Sequence, residues 1–215
     1  MKTLDQSRMI PAKSSAPWAI LSIVLVILLG LVFFLNHRSR PASPLLVYGS
    51  LPDFSLITQD GKPVSKMSLL GHPWIADFIF TSCSGQCPQM SATMMALASG
   101  FAGEKEKNIR LVSFSVDPKR DTPEILSRYA QRYHADATRW LFVTGRAEDI
   151  YRLSRQGFKL GVDENTPDAP NIAVEPILHS SRLILVDAKG NIRGYYDTAE
   201  PDAVKRLKAD VRRLP

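Results

Sequence analysis

From Ala16 to Leu35 the chain runs APWAILSIVLVILLGLVFFL, twenty residues without a charge. As a helix that run measures ~30 Å, the thickness of a bilayer core. Trp18 stands near one end, where an indole suits the headgroup region. The rival reading is a cleaved signal peptide, which has a shorter apolar run followed by a small-x-small cleavage site. Here Phe33-Phe34-Leu35-Asn36-His37-Arg38 occupies that place. The expectation is an uncleaved transmembrane helix at residues 16–36, behind a short cytoplasmic tail at residues 1–15. Lys2, Arg8 and Lys13 precede the run, and Arg38 and Arg40 follow it. The positive-inside rule then leans to an internal N-terminus, with the C-terminal domain outside the cytoplasm. The short lead is unlike an Arg-rich, acid-poor organelle presequence, which favours a single-pass protein of a bacterial inner membrane with a periplasmic domain.

The same segment accounts for most of the charge. The 215 residues hold 27 Lys and Arg against 21 Asp and Glu, a net +6. Residues 1–40 hold five of those bases against one acid, leaving 22 against 20 in the rest. A near-neutral bulk does not indicate a nucleic-acid surface. Arg40-Pro-Ala-Ser-Pro44 reads as part of a linker at residues 37–48, and a single domain follows at residues 49–215. With 45% hydrophobic and 22% charged residues the chain is neither a disordered tail nor a fibre.

Within the domain, Trp74–Phe80 is mostly apolar and reads as a buried strand. Ile109–Val116 alternates, Trp140–Val143 is short, and both read as strands. Arg182–Asp187 and Ile192–Tyr196 form a hairpin across Ala-Lys-Gly-Asn. Helices are expected at Gln89–Ala102, Glu124–Tyr133, Glu148–Gly157 and Pro201–Arg213, the second opened by Asp121-Thr-Pro-Glu124. Strands alternating with helices, then a hairpin and a helix, predict an α/β fold: a mixed sheet with flanking helices on both faces. Met90, Met94 and Met95 at helical spacing read as core fillers, and the basic run Lys205–Arg213 as a solvated helix face.

The chemistry falls in Thr81-Ser-Cys83-Ser-Gly-Gln-Cys87-Pro88, after a buried strand and before a helix, where α/β sheets collect active groups. Two cysteines are too few for a disulfide scaffold or a four-thiolate zinc site, but suffice for a redox pair or part of a metal site. Pro88 suits the first helical position and disfavours helical geometry at Cys87. Cys87 is therefore expected near the N-cap, where the helix dipole favours a thiolate. Gly85 lets the loop bend back so that the sulfurs converge. Converging sulfurs close a disulfide or chelate one soft metal ion, and the spacing leaves both open.

A metal needs further donors. His37 lies at the membrane edge, His72 precedes the first long strand and stands at the wrong end, and His134 serves a helix terminus. His179 precedes Arg182–Asp187. If that strand runs antiparallel to Trp74–Phe80, its start lies over the cysteine loop. Two thiolates and an imidazole suit copper, as Cu(I) or Cu(II).

In that order, Phe80–Pro88, Ser113-Phe-Ser-Val-Asp117-Pro-Lys-Arg-Asp121-Thr-Pro123, and His179-Ser before Arg182–Asp187 with Gly194-Tyr-Tyr-Asp197 resemble the Sco/SenC family of membrane-tethered copper proteins. The resemblance implies a thioredoxin-like fold, with Cys83, Cys87 and His179 as copper ligands. Asp117 matches an acidic position of the second motif without an implied ligand role. Leu178 stands where members often carry Asp, so a backbone carbonyl would fix the imidazole instead. The implied role is a metallochaperone delivering copper to the dinuclear centre of cytochrome c oxidase subunit II. The alternative is a thiol-disulfide reductase in which Cys83 and Cys87 keep another copper or thiol client reduced. A peroxidase built on one activated cysteine fits the proline-capped pair less well.

Overall fold

The computed structural model describes residues 16–38, 44–101, 103, 106–160 and 180–214. The chain divides into Met1–Ser43 and Pro44–Pro215. The first unit carries helix α1 (Ala16–Arg38), whose described side chains are exposed. Among the described residues, no helix is long and apolar enough to cross a membrane.

The second unit is built on β4 (Trp74–Ile79), all six of whose residues are buried. On one side β4 pairs in parallel with β5 (Arg110–Ser115), which pairs in parallel with β6 (Trp140–Thr144). On the other it pairs antiparallel with β7 (Arg182–Val186), Trp74 opposite Val186 and Ala76 opposite Ile184. Parallel neighbours need crossovers. These are α3 (Cys87–Gly100) and α4 (Pro123–Arg132), each with a proline in its first turn. Then β8 (Asn191–Asp197) returns from β7 through a turn in which Gly190 holds φ 80° and Asp187 accepts the N–H groups of Lys189 and Asn191.

Four elements between Gly49 and Leu69 have no counterpart in the sequence reading. They are β1 (Gly49–Ser50), β2 (Ser55–Thr58), β3 (Pro63–Ser65) and α2 (Lys66–Leu69). The three strands extend both edges, so the sheet runs β1-β8-β7-β4-β5-β6-β2-β3. Expected helix Glu148–Gly157 is α5 (Ala147–Arg152) running into a π-helical turn at Leu153–Gly157. The chain closes with α6 (Ala203–Val211), narrower than Pro201–Arg213.

Side chains alternate across the sheet, so β4 serves two cores. Phe78 stacks on Phe114 with centroids 5.2 Å apart, and Phe158 meets both edge-on or tilted. On the opposite face lie Ile75, Asp77 and Ile79, level with Leu111, Ser113 and Ser115. That face also carries the rings of Tyr129, Trp140 and Phe142, with Trp140 and Phe142 4.9 Å apart. Met90 and Met94 are fully buried and Met95 packs beside them, which makes all three core residues. The basic C-terminal helix is a solvated face neutralised locally: Arg206 pairs with Glu200, Arg212 with Glu106 and Arg213 with Asp210.

Candidate metal centre

Beyond β4 the chain turns at once, with the Cys83 N–H donating to the Phe80 carbonyl at 3.2 Å. Cys87 is the first residue of α3 and Pro88 the second, with Gln86 as the N-cap. The bend does not draw on the conformational freedom of Gly85. Its φ is not in the left-handed region, and a Cβ there would meet the Cys83 sulfur at an ordinary 3.9 Å.

Both cysteines are free thiols, Cys83 half-buried and Cys87 only 4% exposed. Their acidities diverge. Burial works against the Cys83 thiolate, but the Cys87 thiol and the N–H groups of Cys87, Gly85 and Gln86 outweigh it and hold the thiol below its ordinary value. Burial pushes the Cys87 thiol up to about 12, helped by the neighbouring Cys83 sulfur and the charge of Asp77. This reverses the expectation that the helix start favours a thiolate at Cys87. The N–H groups at the start of α3 do favour a thiolate, as anions are favoured there, but they serve the sulfur in the loop. Cys87 belongs to the helix and turns its own side chain into the core.

Below the pair lies Asp77, fully buried. Neither of its carboxylate oxygens has a hydrogen-bond partner among the described residues. Burial raises its pKa from the ordinary 3.8 to about 7. The Ser113 hydroxyl pulls the other way without reaching hydrogen-bond geometry, and instead accepts the Trp140 indole N–H at 2.9 Å. Nearby, Ser91 and Tyr129 share a buried hydrogen bond of 3.0 Å. Sequence reading passes over Asp77, although one charge inside WIADFIF was a visible signal.

Asp121, read from sequence as part of a helix start and of the second motif, is fully buried. It accepts the Thr81 N–H at 3.1 Å, the Thr81 hydroxyl at 2.5 Å and the Ser115 hydroxyl at 2.6 Å. Asp117 pairs with Arg120 at 3.4 Å, and its N–H donates to Ser115.

His72 is half-buried just before β4, at the end away from the sulfurs, and His134 is exposed at the end of α4 with φ 51°. His179, with Pro176 and Leu178, lies outside the described residues. Among the described residues, no three His, Cys, Asp or Glu side chains group so as to hold a metal ion. The described donors are thus two adjoining sulfurs, soft enough for Cu(I) and short of a full coordination shell.

A SCO1 protein homolog of Bacillus subtilis (strain 168) is 34% identical over 160 residues, covering 74% of this chain and 79% of its own. A protein of Stutzerimonas stutzeri named as copper-binding is 32% identical over 149 residues, 68% of each chain. Among solved structures, that of BsSco superposes with a TM-score of 0.64 at 33% identity, over 81% of this chain and 97% of that one. It is described as a member of the Sco family of cytochrome c oxidase assembly proteins with a disulfide switch. The thioredoxin-like mixed sheet expected from sequence is thus shared with that relative. The SCO1/SenC family model matches residues 49–214, so the sulfur pair at the head of α3 sits in a chain that belongs to the SCO1/SenC family.

Proposed function

We propose that the domain binds copper through Cys83, Cys87 and His179 and delivers it to the dinuclear centre of cytochrome c oxidase subunit II. The observation that carries this reading is the sulfur pair itself. One thiolate is favoured by three backbone N–H groups, and a second sulfur adjoins it. Two soft donors suit Cu(I), and an imidazole adds a ligand that accommodates Cu(II). The direction of β7 supports His179 as that ligand. Running antiparallel to β4, β7 begins toward the end of β4 that leads to Cys83. The Stutzerimonas stutzeri relative, named as copper-binding, supports the choice of metal. The anchoring reading rests on the uncharged run Ala16–Leu35. It ties the domain to a bacterial inner membrane, on the extracytoplasmic side, beside a membrane-embedded client.

The test uses the reduced full chain in detergent, titrated with Cu(II) and followed by absorption. A sulfur-to-copper charge-transfer band is expected in the native chain, absent in Cys83→Ser and in Cys87→Ser, and shifted with weakened binding in His179→Ala. A His179→Ala chain with native affinity and spectrum removes His179 as a ligand. Native binding in the cysteine variants removes the copper site altogether.

The divergent acidities of the sulfurs favour a second use. Cys83 thiolate attacks a client disulfide and forms a mixed disulfide. Cys87 then gives up its proton, attacks the Cys83 sulfur and releases the client as a dithiol, leaving Cys83–Cys87 oxidised until another dithiol reduces it. Copper binding needs the same reduced pair, so the two activities are compatible.

A further inference from the structure

We infer that Asp121 is a positioning residue for the sulfur pair, acting through Thr81. The inference rests on the reading above only for what the pair is used for; the positioning itself is geometric.

The segment Asp117–Asp121 is fixed before it reaches the cysteine loop. The N–H groups of Arg120 and Asp121 both donate to the Asp117 carbonyl, at 3.0 and 2.9 Å. Thr122 caps α4, its hydroxyl facing the Ile125 N–H, and Pro123 opens that helix. Asp121 is thereby held between a turn and a helix start, and its carboxylate is fully buried. A buried carboxylate is costly unless its oxygens are hydrogen-bonded, and each oxygen of Asp121 is. One takes the Thr81 hydroxyl. The other takes the Thr81 N–H and the Ser115 hydroxyl. The single side chain therefore joins the ends of β4 and β5, which the Val116 N–H also links to the Ile79 carbonyl at 2.8 Å.

Thr81 lies two residues before Cys83, inside the turn closed by the Cys83 N–H on Phe80. Freed from Asp121, that turn would lose both hydrogen bonds that pin Thr81, two residues before Cys83. Cys87 needs no such help, since it is fixed by the helix and by the core. The distance between the sulfurs is thus set from the Cys83 side, and Asp121 is the anchor there. Charge-assisted hydrogen bonds to a buried carboxylate are the strong kind. The second family motif, Asp121 included, finds its reason in this contact with the first.

The test measures how well the loop holds the sulfurs together, without copper. The full chain in detergent is equilibrated in glutathione buffers, where dithiol plus glutathione disulfide gives intramolecular disulfide plus two glutathione thiols. The oxidation constant reports the effective concentration of one sulfur at the other. Asp121→Asn and Thr81→Val are each expected to lower that constant about tenfold, as the loss of a strong hydrogen bond does. The double variant is expected to fall no further than Asp121→Asn alone, and Thr81→Ser to keep the native value. Tyr196→Phe, which removes a hydrogen bond to Asp210 far along the chain, controls for general destabilisation and leaves the constant unchanged. If Asp121→Asn does not fold, Thr81→Val against Thr81→Ser carries the same comparison. A native constant in Thr81→Val, or losses that multiply in the double variant, overturns the inference. An absent copper charge-transfer band in the native chain instead overturns the copper reading and leaves the glutathione result standing.

Discussion

Replacing Asp77 by Asn probes the buried carboxyl beneath the sulfurs, and its effect depends on pH in a calculable way. The folded chain holds this group at a pKa of about 7, against 3.8 for an ordinary Asp side chain, because burial disfavours the charge. The folded state therefore keeps a proton that the unfolded state has lost between those two values. The contribution is fully present below pH 3.8 and is lost as pH rises through about 7. Each pH unit across that interval costs the native protein ~1.4 kcal/mol, so the whole interval costs about 4 kcal/mol. Asn carries no charge at any pH and escapes this loss. It does bury an amide whose donors and acceptor meet the same absence of partners as the Asp77 oxygens, at roughly 1–3 kcal/mol, independent of pH. Asp77→Asn is thus expected to be the less stable chain near pH 4 and to match or exceed the native one near pH 8. Urea unfolding of the reduced full chain in detergent, followed by tryptophan fluorescence across that range, measures the difference. A stability difference that stays flat from acid to alkaline pH refutes the reasoning, because it means that Asp77 does not titrate across the interval in the folded state.

Two further expectations follow from burial. Near neutral pH, iodoacetamide is expected to modify Cys83 well before Cys87, since one thiol is lowered and the other raised to about 12; peptide mapping showing equal rates, or Cys87 first, would contradict the assignment of the helix N–H groups. Met94→Ala should cost ~2–5 kcal/mol in urea unfolding, as a fully buried side chain does, while copper stoichiometry stays native; a loss of bound copper without that destabilisation would make Met94 part of a metal relay.

How much of this was legible in the sequence depended on length and contrast. β4 stands out because six consecutive buried residues leave no polar face. The hairpin stands out because Asp187 and Gly190 build a turn that few residues permit. By contrast β1, β2 and β3 run only two to four residues, too short for alternation to register, and β1 and β2 are held by pairing to the distant β8 and β6. The cysteine loop was legible as a site, and its electrostatics were half legible. A proline just inside a helix start correctly announces free N–H groups nearby. Which sulfur they serve depends on how the side chains leave the backbone, and a helical Cys87 facing the core is a tertiary fact. Asp121 illustrates the same limit. Its local pattern fits a helix start, and its partners, Thr81 and Ser115, lie 40 and 6 residues away.

The asymmetry of the pair also constrains how copper would enter. Cys83 is favoured as the thiolate and is the more exposed, so on the proposed function the first bond to an incoming ion or to a client sulfur would form there. Cys87 joins only by giving up a proton held at about 12. Displacing that proton at neutral pH works against the burial of the thiol, the largest cause of its raised pKa. A metal–thiolate bond or a disulfide bond is strong enough to meet it; a passing electrostatic contact is not. The buried sulfur therefore acts as a threshold. It keeps its own proton until Cys83 has been engaged, and it takes a proton back when the ligand or the client leaves. Asp77 raises that threshold further as it ionises, since its charge opposes the Cys87 thiolate. A site that loads and unloads, whether copper or a disulfide is the load, is better served by one ready sulfur and one reluctant sulfur than by two equally eager ones.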